Sequence, residues 1–149
     1  MAEKVDRRVR KTKAQLRQGL ARLMQKKSIK EITVKELVDE VDINRSTFYL
    51  HYTDIYQMLE KIEEEAMLEI REALEGCPVH CTERKKIIPF LARFFSIMDS
   101  NRDLALALLG PNGDMDFVAR IETLIASNFP CQTTRFHMPT LFVSAAVSV

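Results

Sequence analysis

Polar side chains between residues 44 and 52 have the types and spacing needed to read the edges of nucleic-acid bases. The guanidinium group of Arg45 can donate two hydrogen bonds to O6 and N7 of a guanine, and Thr47 can bond a base edge or touch a thymine methyl. Tyr49 and His51 can reach phosphate oxygens. The chemistry predicted for this segment is recognition of double-stranded DNA.

Two short helices are predicted to position these side chains. Thr33 and Glu36 form a T-x-x-E capping box, in which the hydroxyl accepts a free backbone N–H and the carboxylate reaches back to the cap. Asp42 stands where this helix should end, and Asp tolerates the left-handed backbone that a tight turn often needs. Asn44 is a candidate N-cap for the next helix, roughly 45–51.

The second of these helices has little to bury and much to expose. Within it Phe48 is the only predicted core residue, whereas its other side chains are mostly polar. This pattern is typical of a helix-turn-helix, in which the first helix braces the second and the second enters the DNA major groove. Backbone N–H groups after Thr33 can add phosphate contacts.

The stretch from Thr12 to Leu59 resembles the TetR family of bacterial transcriptional regulators. The resemblance rests on Ile32-Thr33-Val34 and on Asn44-Arg45-Ser46-Thr47-Phe48-Tyr49-Leu50-His51-Tyr52. It implies an all-α fold, with a three-helix helix-turn-helix head at 1–53 joined by a long fourth helix to a ligand-binding, dimerising body at 54–149. It also implies a homodimer that binds a pseudo-palindromic operator, as a repressor that responds to a small-molecule effector. The three cysteines, whose spacing suggests no disulfide scaffold, favour a reducing, cytoplasmic setting.

The DNA-binding residues follow from the motif and its resemblance taken together. They are Lys13, Thr33, Asn44, Arg45, Ser46, Thr47, Tyr49 and His51, supplemented by a basic arm from Arg7 to Lys13. The alternatives are a capping or packing role for His51 and a frayed charged terminus for the arm.

Two positions depart from the family pattern. Asp42 stands in the turn where the family often has Gly, and Ile55 stands in the first turn of the fourth helix where the family often has Lys. The second departure removes a phosphate contact, which is expected either to weaken DNA affinity or to shift the load to the N-terminal arm. A regulator-like adaptor or coactivator that acts through protein–protein contacts is the alternative function.

The remaining chain has helical periodicity almost throughout. A first helix carries the apolar stripe Leu16, Leu20, Leu23 and Met24, and a fourth helix over about 54–75 carries Ile55, Leu59, Ile62, Ala66, Ile70 and Ala73. Three more helices follow, the fifth kinked or starting near Pro89. The apolar stretch 141–149 predicts the start of a further helix, whose continuation we expect to be missing.

The charge is distributed unevenly. Residues 1–50 carry 13 Lys+Arg against 7 Asp+Glu, and residues 51–75 carry 2 against 8. The basic N-terminal third favours a polyanionic partner, although a solvated charged surface would have the same composition. The acidic face of the fourth helix (Glu60, Glu63, Glu64, Glu65, Glu69 and Glu72) is expected to be solvated surface.

An effector pocket is predicted between the helices that span about 87–128. Its candidate lining residues are Phe90, Phe94, Phe95, Met98, Phe117 and Ile121. The same aromatic and Met side chains at helical spacing are equally well explained as core.

Other function classes have little support. Cys77, His80 and Cys81 lie close together, with Cys131 and His137 further on, but their spacing fits a tetrahedral zinc site poorly. We interpret them as an incidental loop and predict no metal or cofactor. No run approaches the roughly 18 apolar residues of a membrane span. No nucleophile elbow or phosphate loop points to an enzyme.

Overall fold

The computed structural model describes residues 2–75 and 84–128, and this part of the chain is all helical. It contains seven α-helices and a 3-10 turn at Ile29–Glu31, with no strand among the described residues. The helices are α1 (Ala2–Met24), α2 (Val34–Glu40), α3 (Arg45–Tyr49), α4 (Ile55–Glu75), α5 (Arg84–Ser100), α6 (Arg102–Leu109) and α7 (Met115–Asn128). The all-α prediction is confirmed for these residues.

Apolar stripes at helical spacing form the core, as the sequence predicts. The α1 stripe and the α4 stripe are buried, with Ala66 half-buried. Leu37 of α2 and Phe48 of α3 also belong to the core, and neither has any exposed surface. These residues belong to one continuous cluster that runs on into α5, α6 and α7.

The α1 helix packs on α2 and also on α6, and its buried residues share one cluster with those of the later helices. Asn112, after α6, donates to the carbonyl of Met24 at 3.2 Å, and Gln25 donates to the carbonyl of Asp103 at 3.2 Å. The first bond satisfies a carbonyl at the C-terminal end of α1 that has no partner inside the helix. The division into two domains therefore stays a prediction.

A glycine permits the close approach of α1 and α2. A Cβ atom at Gly19 would lie 2.3 Å from Cγ1 of Val41 and 3.1 Å from Cδ1 of Leu37. The first distance is well inside van der Waals contact, so a larger residue at this position would push the two helices apart.

Helix α4 begins with a cap and then differs from its prediction at one position. Asp54 Oδ1 accepts from the backbone N–H of Gln57 at 2.8 Å, so Asp54 caps the helix. Glu63, expected on the solvated acidic face, is only 5% exposed. This expectation was wrong because α7 packs on α4 and covers Glu63 from the side.

Helix α5 begins earlier than the position of its proline suggests. It runs from Arg84 and contains Pro89 at its sixth residue. Proline has no N–H to donate, so only one helical hydrogen bond is missing there. The predicted segment 141–149 and the Gly76–Thr82 boundary lie outside the described residues.

Candidate functional site

The turn between α2 and α3 is tight and left-handed at one residue. Asp42 has φ of 52°, as expected for the position at which α2 must stop. The backbone N–H of Ile43 then donates to the carbonyl of Val38 at 3.0 Å, which closes the turn back on α2. Four residues, 41–44, separate the two helices.

Asn44 caps α3, as predicted. Its Oδ1 accepts from the backbone N–H of Ser46 at 2.9 Å and from the Ser46 hydroxyl at 2.9 Å. The cap matters because α3 has only five residues, too few to be stable without capping and packing. Phe48 supplies the packing, since it is completely buried.

The remaining side chains of α3 form an outward polar surface. Arg45, Ser46 and Tyr49 are exposed, and Thr47 is half-buried. The Arg45 guanidinium donates to the Tyr49 hydroxyl at 3.0 Å from Nη2, with its carbon 5.5 Å from the centre of the Tyr49 ring. The structure thus brings together four predicted DNA-binding residues on one short helix, with Asn44 at its start.

Thr33 and its partners lie at the start of α2. The Thr33 hydroxyl is exposed and accepts from the backbone N–H of Glu36 at 3.2 Å. The carboxylate of Glu36 accepts from Nζ of Lys27 at 2.6 Å instead of returning to the cap. This hydrogen bond lowers the pKa of Glu36. Only half of the predicted capping box is therefore present.

His51 follows α3 and is half-buried. Burial lowers its pKa, and the positive charge of the exposed Lys13 on α1 lowers it further. The predicted arm, Arg7 to Lys13, is part of the α1 helix, and its Arg and Lys side chains are exposed.

Lys61 is a basic residue near α3 that the sequence analysis missed. Its Nζ lies 3.5 Å from the carbonyl oxygen of His51 and 5.5 Å from the centre of the Tyr52 ring. Ile55, which stands where the resembled family often has Lys, is only 4% exposed. Lys61 lies six residues after Ile55 and therefore on a different face of α4, so the spacing along the helix did not point to it.

A second candidate site is a cavity of about 390 Å³ bounded by α4, α5, α6 and α7. Four predicted residues line it, namely Phe94, Met98, Phe117 and Ile121. Phe95 does not line it and is 55% exposed, which corrects that assignment, because Phe94 and Phe95 are consecutive on α5 and point in different directions. The side chain of Phe90 lies outside the described part.

The cavity wall also contains polar groups that the sequence analysis did not assign to it. They are Arg17, Glu69, Asn101 and Glu122. Arg17 is paired with Glu65, and Asn101 donates its amide to the carbonyl of Ile97 at 3.2 Å. One carboxylate oxygen of Glu122 is buried with no hydrogen-bond partner.

The cysteine and histidine residues considered as a metal site (Cys77, His80, Cys81, Cys131 and His137) lie outside the described residues. Within residues 2–75 and 84–128 no three His, Cys, Asp or Glu side chains are grouped so as to hold a metal ion. In the same ranges no helix has both the length and the apolar character that crossing a lipid bilayer requires.

Comparisons of the chain with protein-family models, with curated proteins and with solved structures find no match.

Proposed function

We propose that the protein is a DNA-binding transcriptional regulator whose α1, α2 and α3 form a helix-turn-helix head. In this proposal α2 braces α3, and α3 enters the major groove. The observation that carries the proposal is the division of α3 into a buried Phe48 and an exposed polar surface that includes Arg45, Ser46 and Tyr49. A short, capped helix with this division matches the recognition helix of that motif.

Arg45 and Thr47 are the proposed base-reading residues. The bonds to the Tyr49 hydroxyl use the Nε hydrogen and one Nη2 hydrogen of Arg45, which leaves Nη1 and the other Nη2 hydrogen to donate to a guanine. Thr47 can contact a base edge or a thymine methyl. Ser46 and Asn44 hold the N-terminus of α3 in place through their hydrogen bonds. These assignments predict sequence-specific binding.

Phosphate contacts are proposed on both sides of α3. Thr33 at the start of α2, and Tyr49 and His51 at the end of α3, can bond phosphate oxygens. Lys13 and Lys61 add positive charge close to His51. Lys61 can supply the cationic phosphate ligand that the apolar Ile55 cannot, although it approaches from further along α4.

We further propose that two copies of the chain act together as a homodimer in the cytoplasm. Their α3 helices would lie in successive major grooves, roughly 34–36 Å apart, and read the two halves of a pseudo-palindrome. The dimer is proposed to adopt two arrangements that differ in the spacing of the two heads. An effector that binds the cavity more tightly in one arrangement would increase the population of that arrangement and so change operator affinity.

The experiment that tests DNA binding is selection of duplexes from a random library with the purified full chain, followed by anisotropy titrations of the enriched sequence. We expect an affinity that falls steeply with salt, since bound phosphates release counterions. The variant Arg45→Ala/Tyr49→Ala should lose at least tenfold in affinity. The matched control Arg93→Ala, an exposed arginine on α5, should bind as the unmodified chain does.

If no duplex is enriched and no salt-dependent affinity appears, the DNA-binding proposal is wrong. If a specific duplex is bound and the double variant binds it equally well, then α3 is not the reading helix. Sedimentation of the free protein and of the complex tests the dimer, since a monomer on a single half-site would contradict it.

An adaptor function is the second candidate, and exposed apolar surface beside α3 favours it. Leu50 is 79% exposed, and Tyr56 is 57% exposed at the start of α4. Apolar side chains of this size are common in protein–protein contacts. Substitution of Leu50 by Ser separates the two functions, because an adaptor should lose its partner whereas a DNA reader should keep most of its operator affinity.

A further inference from the structure

The cavity between α4, α5, α6 and α7 has a wall that is mostly apolar. Ile62, Ile70, Phe94, Leu108, Phe117 and Ile121 contribute to it. Its volume of about 390 Å³ is within the range of roughly 300–1,000 Å³ typical of small-molecule sites. The apolar part of a ligand would therefore lose its contact with water wherever it touches these residues, which favours binding.

The polar groups in the wall are mostly acceptors. Glu122 on α7 has a buried carboxylate oxygen without a hydrogen-bond partner, and a buried acceptor of this kind costs free energy until a donor reaches it. Glu69 on α4 is half-buried and lines the same cavity. Asn101 uses one of its two amide hydrogens on the carbonyl of Ile97, so its carbonyl oxygen and its second amide hydrogen are left for a ligand.

The one cationic side chain in the described wall is already neutralised. Arg17 is paired with Glu65, so its charge is balanced before any ligand arrives. The remaining charges in the wall are the carboxylates of Glu69 and Glu122. A bound anion would be repelled by both, whereas a cation would be attracted by both in an environment that screens charge poorly.

We propose that this cavity binds an organic cation with an apolar body, whose positive group lies against Glu122 and Glu69. The apolar wall supplies affinity through burial, and the carboxylates select the sign of the charge. The role of such a ligand as an effector depends on the proposed function, but its binding to the cavity does not.

The test uses two probes of similar size and shape but opposite charge, the tetraphenylphosphonium cation and the tetraphenylborate anion. Calorimetric titration of the purified full chain should give one phosphonium per chain, with a Kd at least tenfold lower than that of the borate. Glu122→Gln, which keeps the side-chain shape, should weaken phosphonium binding at least fivefold. The control Glu72→Gln, an exposed glutamate of α4 outside the cavity, should leave it unchanged.

Methyl NMR of the methionines locates the bound probe without any substitution. Met98 and Met115 line the cavity, whereas Met67 does not. Phosphonium should shift the first two signals and leave the third in place. Equal or tighter binding of the borate, no loss in Glu122→Gln, or shifts at Met67 alone would each overturn the proposal.

Operator binding is measured separately in the absence of either probe. Failure of the cation to bind therefore rejects this inference and leaves the DNA-binding proposal standing. Tight cation binding without operator binding rejects the regulator and keeps the ligand site. When both occur, phosphonium should change operator affinity in the unmodified chain and less so in Glu122→Gln.

Discussion

Arg45 donates two hydrogen bonds to the hydroxyl oxygen of Tyr49, at 3.0 Å from Nη2 and 3.3 Å from Nε. The two residues are one helical turn apart on α3, so their side chains lie on the same face. The hydroxyl therefore holds the guanidinium in a defined place on the exposed surface while no DNA is bound. Arg45 and Tyr49 are expected to act as a coupled pair.

The coupling predicts a non-additive double-mutant cycle on operator binding. Arg45→Ala and Tyr49→Phe should each weaken binding, the first by at least tenfold and the second by about threefold. The two together should weaken it by less than the product, with a coupling of at least about 0.5 kcal/mol. Anisotropy titrations of the three variants measure this, and strict additivity would show that the hydroxyl does not position the guanidinium.

The left-handed turn predicts opposite effects of two substitutions at Asp42. Glycine adopts a φ of 52° without a steric penalty, so Asp42→Gly should change the free energy of unfolding by less than about 1 kcal/mol. Asp42→Val should destabilise by more than about 1 kcal/mol, because a β-branched residue is strained there. Urea unfolding checks both. Equal stability of the Val and Gly variants would mean that the turn relaxes.

The contact of Gly19 with α2 predicts that a good helix former is harmful at this position. Gly19→Ala gains about 1 kcal/mol of helix propensity but forces a methyl to within 2.3 Å of Val41 Cγ1. Overpacking of this kind costs roughly 1–3 kcal/mol. We therefore expect a net loss of stability of about 1 kcal/mol in urea unfolding.

The background Val41→Ala provides the control for Gly19, because it removes Cγ1. In that background the same Gly19→Ala change should be neutral or stabilising. A loss of equal size in both backgrounds would assign the effect to something other than the contact between α1 and α2.

Glu63 predicts a stability that falls as pH rises. Burial, which is the largest cause, and the negative charges of Asp114 and Glu60 raise its pKa, whereas Arg120, whose Nη2 lies 3.4 Å from Oε2, lowers it; together they bring the pKa to about 7. The folded chain therefore holds a proton that the unfolded chain releases near its ordinary pKa of 4.5. The stabilisation is complete below about 4.5 and is lost as pH rises through about 7.

Glu63→Gln tests this pH dependence, since it keeps the shape and cannot ionise. Near pH 5 the variant and the unmodified chain should have similar stability. Near pH 8 the variant should be more stable by about 2 kcal/mol. This is below the limit set by about 1.36 kcal/mol for each unit of the pKa shift from 4.5 to about 7. Urea unfolding at the two pH values measures this difference. The exposed neighbour Glu64→Gln should produce no such crossover, and a variant less stable at pH 8 would mean that the ion pair with Arg120 outweighs burial.

Local signals in the sequence predicted local structure well. The caps at Thr33, Asn44 and Asp54 and the turn at Asp42 depend on residues within a few positions of each other. The apolar stripes were likewise readable, because a helix of 3.6 residues per turn places them on one face whatever it packs against.

Features that depend on a distant helix were predicted poorly. Glu63 belongs by spacing to an acidic face, and only the position of α7 buries it. Phe94 and Phe95 are equivalent by composition, yet only the first lines the cavity. Lys61 is separated from His51 by ten residues and approaches it only because of the direction in which α4 leaves α3.

The amino-acid sequence alone determined where α2, α3 and α4 begin and which side of each one is apolar, because capping and periodicity act over a single turn of backbone. It also determined the set of polar side chains on α3. The tertiary structure decided which carboxylates are buried, which aromatic rings enclose a cavity and which lysine lies beside α3. Those outcomes depend on how separate helices cross, and crossing geometry is set by the packing of many side chains at once.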